Sequence, residues 1–185
     1  MEVKCPVCIK GKLKIRQTAH EVPYFGTIIM ATMRCENCGF THKDIWSPEE
    51  HKPMRYELHV EEPEDLNIRV VRSATAIIEI PELGVRIEPG PLAEAFISNV
   101  EGVLERIENA VIMMSISAET SEEKRKCEEF LNKVWEARNG KIKFTLILED
   151  PLGNSTIISE KEGKVKVREL TEKEIEYLKR RIYGS

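Results

Sequence analysis

Apolar and polar residues alternate along the first part of the chain and again near its end. Between these stretches the period lengthens to that of a helix. Lys10, Lys12, Lys14 and Arg16 alternate with Ile9, Gly11, Leu13 and Ile15. That period of two predicts a strand with all four cations on one face. Thr27 to Met33 and Phe40 to Trp46 predict two further strands. Ser47 to Pro53 is polar, holds two prolines and reads as a linker. Met54 to Val60, Ile68 to Ile80 and Val85 to Ile87 continue the β pattern, with breaks at Pro81, Gly84, Pro89 and Gly90.

Leu92, Phe96, Val100, Val103, Leu104, Ile107, Val111 and Met114 then recur mostly at intervals of three and four. They mark one face of a long helix, with Pro91 in its first turn. A capping box, Thr120-x-x-Glu123, opens a second helix whose apolar stripe is Cys127, Phe130, Leu131, Val134 and Trp135. Gly140 suits the position just past its end. The two helices predict a helical hairpin over about 91–139. Beyond it Ile142, Phe144, Leu146 and Leu148 alternate, and Asp150-Pro151-Leu152-Gly153 predicts a turn. Thr156 to Ser159 and Lys164 to Arg168 are expected to pair across Lys161–Gly163. Thr171-x-x-Glu174 opens a terminal helix carrying Ile175, Leu178 and Ile182.

The element order therefore predicts an α+β chain, mostly β. A small sheet occupies residues 1–46, a linker 47–53, and a body 54–185 in which strands before and after the hairpin share one sheet system.

Two short cysteine pairs change the picture most. Cys5-Pro-Val-Cys8 and Cys35-Glu-Asn-Cys38 have the spacing that turns two thiolates toward one cation, and two such pairs complete a tetrahedral site. Disulfides would need an oxidising compartment, and Met1 to Lys4 runs into Cys5 with no signal-peptide pattern, so the expected location is the cytoplasm. Zinc is the expected ion and iron the chemical alternative, because thiolate softness suits both. A metal clasping two turns at the end of a three-stranded sheet is a zinc ribbon. So small a sheet has little core, and the metal supplies much of its folding free energy. A closed set of four protein ligands is structural and leaves no position for substrate.

Other chemistry is sparse. His42 follows Cys38 by four residues, but four cysteines already suffice. His20, His51 and His59 form no paired metal motif. Cys127 sits on an apolar helix stripe and reads as a small buried hydrophobe. There is no phosphate-cradling Gly-x-x-x-x-Gly-Lys and no Gly-x-Ser-x-Gly elbow, so an enzyme is not expected. The Lys10/Lys12/Lys14/Arg16 stripe is either a solvated strand face that discourages edge pairing or a surface facing RNA or an acidic protein. Net charge is −4. Residues 1–45 hold seven basic and four acidic side chains, and residues 46–185 hold 21 and 28. A mildly basic module thus sits on an acidic body, unlike the strong basic excess of a dedicated nucleic-acid protein. The longest apolar patch, Ala110 to Met114, is far short of the roughly 20 residues that span a bilayer. A single glutamine, Gln17, among many Lys and Glu residues resembles proteins of hot environments.

Three stretches carry more than spacing. They are Glu21 to Phe40, including Val22-Pro-Tyr-Phe-Gly26 and Met33-Arg-Cys35; Ile80-Pro-Glu-Leu-Gly84 continuing to Asn99-Val-Glu-Gly-Val-Leu104; and Leu148-Glu-Asp-Pro-Leu-Gly-Asn-Ser155. In this order the chain resembles the ZPR-type zinc-finger protein family along nearly its whole length. The resemblance implies a four-cysteine finger like the ribbon of the translation initiation factor 2 β-type. It also implies a double-stranded β-helix domain with an inserted helical hairpin. Eukaryotic members carry two such modules in tandem, bind translation elongation factor 1-alpha and assist its folding; a single module looks like the archaeal form. A partner surface is then expected first on the finger (Lys10, Lys12, Lys14, Arg16) and second on the acidic segments around Glu82, Glu101, Asp150 and Asn154. An RNA- or ribosome-associated ribbon is the alternative function.

Overall fold

The computed structural model describes residues 3–22, 25–90 and 93–183. Three antiparallel strands, β1 (Leu13–Val22), β2 (Gly26–Cys35) and β3 (Thr41–Trp46), form the N-terminal sheet in the order β1-β2-β3. Register pairs Lys14 with Arg34 and Arg16 with Thr32 across β1 and β2, and Thr32 with Lys43 across β2 and β3. Lys14 and Arg16 do share a strand face as expected, and Lys12 forms a bridge with Lys4 just before β1. Lys10 departs from the expected stripe. It sits in the bend after Cys8, because the metal-site turn keeps that backbone out of the ladder. Tyr24 and Pro23 lie outside the described residues.

The body is two antiparallel sheets. The larger has the order β11 (Val165–Glu169), β4 (Met54–Val60), β9 (Phe144–Asp150), β6 (Ile77–Ile80), β7 (Val85–Ile87). The smaller has the order β10 (Thr156–Ile158), β5 (Arg69–Arg72), β8 (Phe96–Asn99). Eight strands in two facing sheets are the double-stranded β-helix, or jelly roll, that the resemblance implied. The run Ile68 to Ile80 is two strands rather than one: Ser73 to Ala76 leaves the smaller sheet and enters the larger. Leu58, Val70, Ile78, Ile80, Leu146 and Leu148 fill the space between the sheets. Each contributes roughly 1.5–3 kcal/mol by leaving water.

The hairpin consists of α1 (Val100–Ser117) and α2 (Ser121–Arg138). It begins nine residues later than the period suggested. Phe96 belongs to β8, and Pro91 and Leu92 lie outside the described residues. Asn99 ends the strand and caps the helix, its side chain accepting from the Gly102 N–H at 2.8 Å. Thr120 and Glu123 form the expected capping box. Gly140 adopts φ +70°, its N–H bonding Ala137 and that of Lys141 reaching Glu136, a complete Schellman end. Val103, Leu104, Ile107, Val134 and Ala137 join the main core. Trp135 does not: it is 55% exposed and its ring carries the Lys141 ammonium. Cys127 is half-buried.

The strands β10 and β11 are not a hairpin. β10 pairs with β5 and β11 with β4, so the connection between them bridges the two sheets. Lys164 and Lys161 hold that connection to the buried carboxylate of Asp65. The last helix, α3 (Glu172–Tyr183), buries Leu178 against Ile77 and Leu170.

The ribbon is not a free finger. Val22, Ile28 and Ile45 share a second apolar cluster with Val71, Ala95 and Ile158 of the body. The Ala95 N–H bonds the Lys43 carbonyl. The segment Ser47–Pro53 is docked as well. The Ser47 N–H donates to Asn154 Oδ1 at 3.0 Å, and the ring of His51 stacks on Phe25 at 4.6 Å. Gly153, at φ +72°, lies so close to this segment that a Cβ would meet the Lys52 carbonyl oxygen at 2.5 Å. Only glycine fits there.

Candidate metal centre

The two cysteine knuckles are built alike. In the first, the Ile9 N–H returns to the Cys5 carbonyl at 3.0 Å; in the second, the Gly39 N–H returns to Cys35 at 3.0 Å. Each knuckle is then tied to the strand that follows it, through Cys5 N–H to Gly11 and Cys35 N–H to Phe40. The turn needs a left-handed residue after its second cysteine. Gly39 supplies it at φ +76°, whereas Ile9 is forced there at φ +59°. A β-branched residue in that region is strained by roughly 1–2 kcal/mol. Ile9 is 72% exposed, so its side chain supports little packing. Ile9→Asn should therefore stabilise the knuckle by about 1 kcal/mol and raise zinc affinity about five-fold in a chelator competition. Equal or weaker affinity would refute the strain.

The four sulfurs lie within 4.8 Å of one another. Cys5 and Cys38 are 3.7 Å apart, and Cys8 and Cys35 3.6 Å. A tetrahedral zinc with Zn–S bonds of about 2.3 Å separates its sulfurs by about 3.8 Å, so the cage fits the ion. The donor set is all sulfur, and His42 points elsewhere, its ring against Phe40. Asn37 Nδ2 and the Gly11 N–H both donate to Cys8 Sγ, at 3.4 and 3.3 Å, and pull that thiol down to about 6. On Cys38 the Phe40 N–H pulls the same way, but burial and the three neighbouring sulfurs push it up to about 12. Sulfurs this close cannot all hold negative charge unless a cation sits among them. Gly11 is also part of the cage: a Cβ there would stand 2.4 Å from Cys35 Sγ. Neither Gly11 nor Asn37 stood out in the sequence. The signal for Gly11 was its place three residues after Cys8, where a backbone N–H reaches the thiolate.

The other expected site residues separate. Lys14 and Arg16 lie on the open face of the ribbon beside Arg34, and Lys14 touches Glu36 at 3.5 Å. The acidic segments of the body do not form one surface. Asp150 is fully buried, so it belongs to the interior and not to a partner surface. Its Oδ2 accepts from Ser73 Oγ at 2.8 Å and Ser155 Oγ at 2.6 Å, and its Oδ1 from Thr75 Oγ1 at 3.1 Å and the Leu152 N–H at 2.9 Å. Asn154 is spent on Ser47. Glu82 accepts from the backbone and hydroxyl of Thr145, which hold its carboxyl below the usual range against the cost of burial. Glu101 pairs with Arg138 at 2.9 Å.

A closed four-thiolate ribbon joined to a jelly roll with a helical insertion defines a zinc-finger protein of two fused parts. The comparisons name the family. The ZPR1 zinc-finger domain matches residues 1–53 and the ZPR1 jelly-roll domain residues 64–179. This chain belongs to the ZPR1 family. It is similar to a ZPR1-like protein of Methanocaldococcus jannaschii, 48% identical over 96% of this chain and 89% of that protein. It is likewise similar to one of Pyrococcus horikoshii, 45% identical over 97% and 81%. The zinc finger chaperone zpr1 of Schizosaccharomyces pombe is 33% identical over 85% of this chain, which spans only 34% of the chaperone. The single-module form fits these archaeal relatives. Family and cage together assign one structural zinc ion, held by Cys5, Cys8, Cys35 and Cys38.

Proposed function

We propose that this chain is a cytoplasmic partner and folding helper of translation elongation factor 1-alpha, acting by capture and release without bond chemistry. The observation that carries the reading is its match, along 85% of its length, to a protein named as a zinc finger chaperone. Two structural features support it. The zinc cage has no open ligand position, which suits a scaffold and not a reactive centre. The far end of α1 bares Ile112, Met113, Met114 and Ile116, with Met113 65% and Ile116 73% exposed. Flexible methionines on an open helix surface suit a client whose apolar segments vary in shape.

The test is association of the purified zinc-loaded chain with archaeal elongation factor 1-alpha, both folded and emerging from the ribosome. Association with the nascent factor is expected, weakened at least ten-fold by a Met113→Glu/Met114→Glu double variant. No association with either form would overturn the proposal.

A further inference from the structure

The open half of one ribbon face is a patch of cations drawn from three strands. Residues paired across strands share a face, so Lys14, Arg34 and Thr41 lie side by side, with Arg16, Thr32 and Lys43 in the next row. Rows on one face are about 6.7 Å apart along a strand and neighbouring strands about 4.8 Å apart. The same face continues into Met30, Ile28 and Ile45, which are packed against the body. On β2 and β3 the covered half is thus apolar, Thr18 and His20 of β1 in the same rows stay exposed, and the uncovered half is cationic and hydroxylic.

These cations are poorly balanced. Lys14 has Glu36 as a partner at 3.5 Å. Among the described residues no carboxylate lies within ion-pair distance of Arg16, Arg34 or Lys43. On the body, by contrast, Arg55, Arg86, Arg125, Arg138, Arg168 and Arg181 each engage a carboxylate. A hollow of about 520 Å³ lies over the ribbon patch, lined by Lys14, Arg16, Thr32, Arg34 and Glu36. A protein partner would want an apolar or aromatic centre for its contact, and this patch has none. A duplex groove would want a helix or a two-stranded ribbon that projects into it, and this patch lies on the face of a three-stranded sheet. What remains is a chain of phosphates that can lie across a flat cationic surface. Thr32 and Thr41 add hydroxyls among the cations, groups that can meet the 2′-hydroxyl of RNA.

We propose that the zinc-ribbon face formed by Lys14, Arg16, Arg34 and Lys43 binds the backbone of single-stranded RNA without reading its sequence. The site is separate from the apolar end of the hairpin and stands or falls independently of the elongation-factor reading, because it is measured with the purified chain and RNA alone. Four phosphate contacts give a slope of about −3 for log K against log salt.

The experiment titrates a labelled oligouridine with the full zinc-loaded chain across a salt series. A slope near −3 is expected. The Arg34→Gln/Lys43→Gln double variant should halve it, while Lys179→Gln on α3 should leave it unchanged. Arg34 neighbours a zinc ligand, so zinc content is measured for every variant, and Lys43→Gln alone, farther from the cage, should still lower the slope by about 0.7. No binding at low salt would overturn the proposal, as would a slope indifferent to both substitutions. Equal binding of oligothymidine would overturn the assignment to RNA, and displacement by polyglutamate at matched charge would assign the face to an acidic protein. If the substitutions weaken zinc retention and leave RNA binding intact, the cations serve only to balance the thiolate cage and the proposal fails.

Discussion

Stripping the zinc with a chelator, or replacing Cys35 with serine, should unfold the ribbon while the jelly roll stays folded. The metal-proximal half of β1–β3 has no core of its own. β1 is exposed or half-exposed from Leu13 to Glu21, and the buried ribbon residues near the cage are Cys5, Gly11, Ala31 and Cys35. Apparent binding free energies of structural zinc in small fingers run to about 10–16 kcal/mol, more than this sheet can gain from packing. Without the ion the knuckles must also relieve four crowded sulfurs and the strained Ile9. The body has an independent core between its two sheets, extended by the hairpin. Amide hydrogen exchange after chelation should show protection lost in the metal-proximal halves of β1–β3 and kept in β4, β6 and β9. Acid should act in the same direction, because protons compete with zinc for thiolates and the metal is released as pH falls. Persistent protection of the cage-proximal β2 amides, Thr32 to Cys35, in metal-free protein would contradict the assignment of zinc as the main stabiliser of that half of the ribbon.

Asp150→Ala should cost about 3–5 kcal/mol in the body. One carboxylate with no exposure satisfies Ser73 Oγ, Ser155 Oγ, Thr75 Oγ1 and the Leu152 N–H. It also compensates Arg72, only 4% exposed, whose guanidinium is pushed down to about 10 by burial while Asp150 opposes the fall. Alanine removes the charge that opposes the fall in Arg72 and leaves the buried Ser73 and Ser155 hydroxyls without their acceptor. A domain stability of about 5–15 kcal/mol makes that a large fraction of the whole. Asp150→Asn, which keeps the shape and part of the acceptor capacity, should cost less. Urea unfolding of the zinc-loaded protein measures both. A loss under about 1 kcal/mol for alanine would mean that water takes over the role of the carboxylate.

How much of this was legible beforehand depended on sequence distance. The cage was readable because each ligand pair is local and the chemistry of four thiolates is narrow. Thr120, Glu123 and Gly140 marked the ends of α2 correctly, because caps are local as well. The apolar period places the start of α1 too early because Phe96 lies four residues before Val100 and keeps helical phase by chance; Asn99, a good N-cap, marks the true boundary. β10 and β11 suggested a hairpin by adjacency. What separates them is a contact between Lys164 and Asp65, about a hundred residues apart, which no local pattern reports. Asp150 looked like a surface acid in a turn because its hydroxyl partners are scattered from Ser73 to Ser155. Arg34 and Lys43 joined the basic stripe only once register had placed β2 and β3 beside β1.

The apolar seam shared by Val22, Ile28 and Ile45 with Val71, Ala95 and Ile158 has an evolutionary consequence. The ribbon is no detachable adaptor. A recombination event that parted it from the jelly roll would leave an oily scar on both fragments, so a gene duplicating this architecture has reason to copy finger and barrel as a single heritable block.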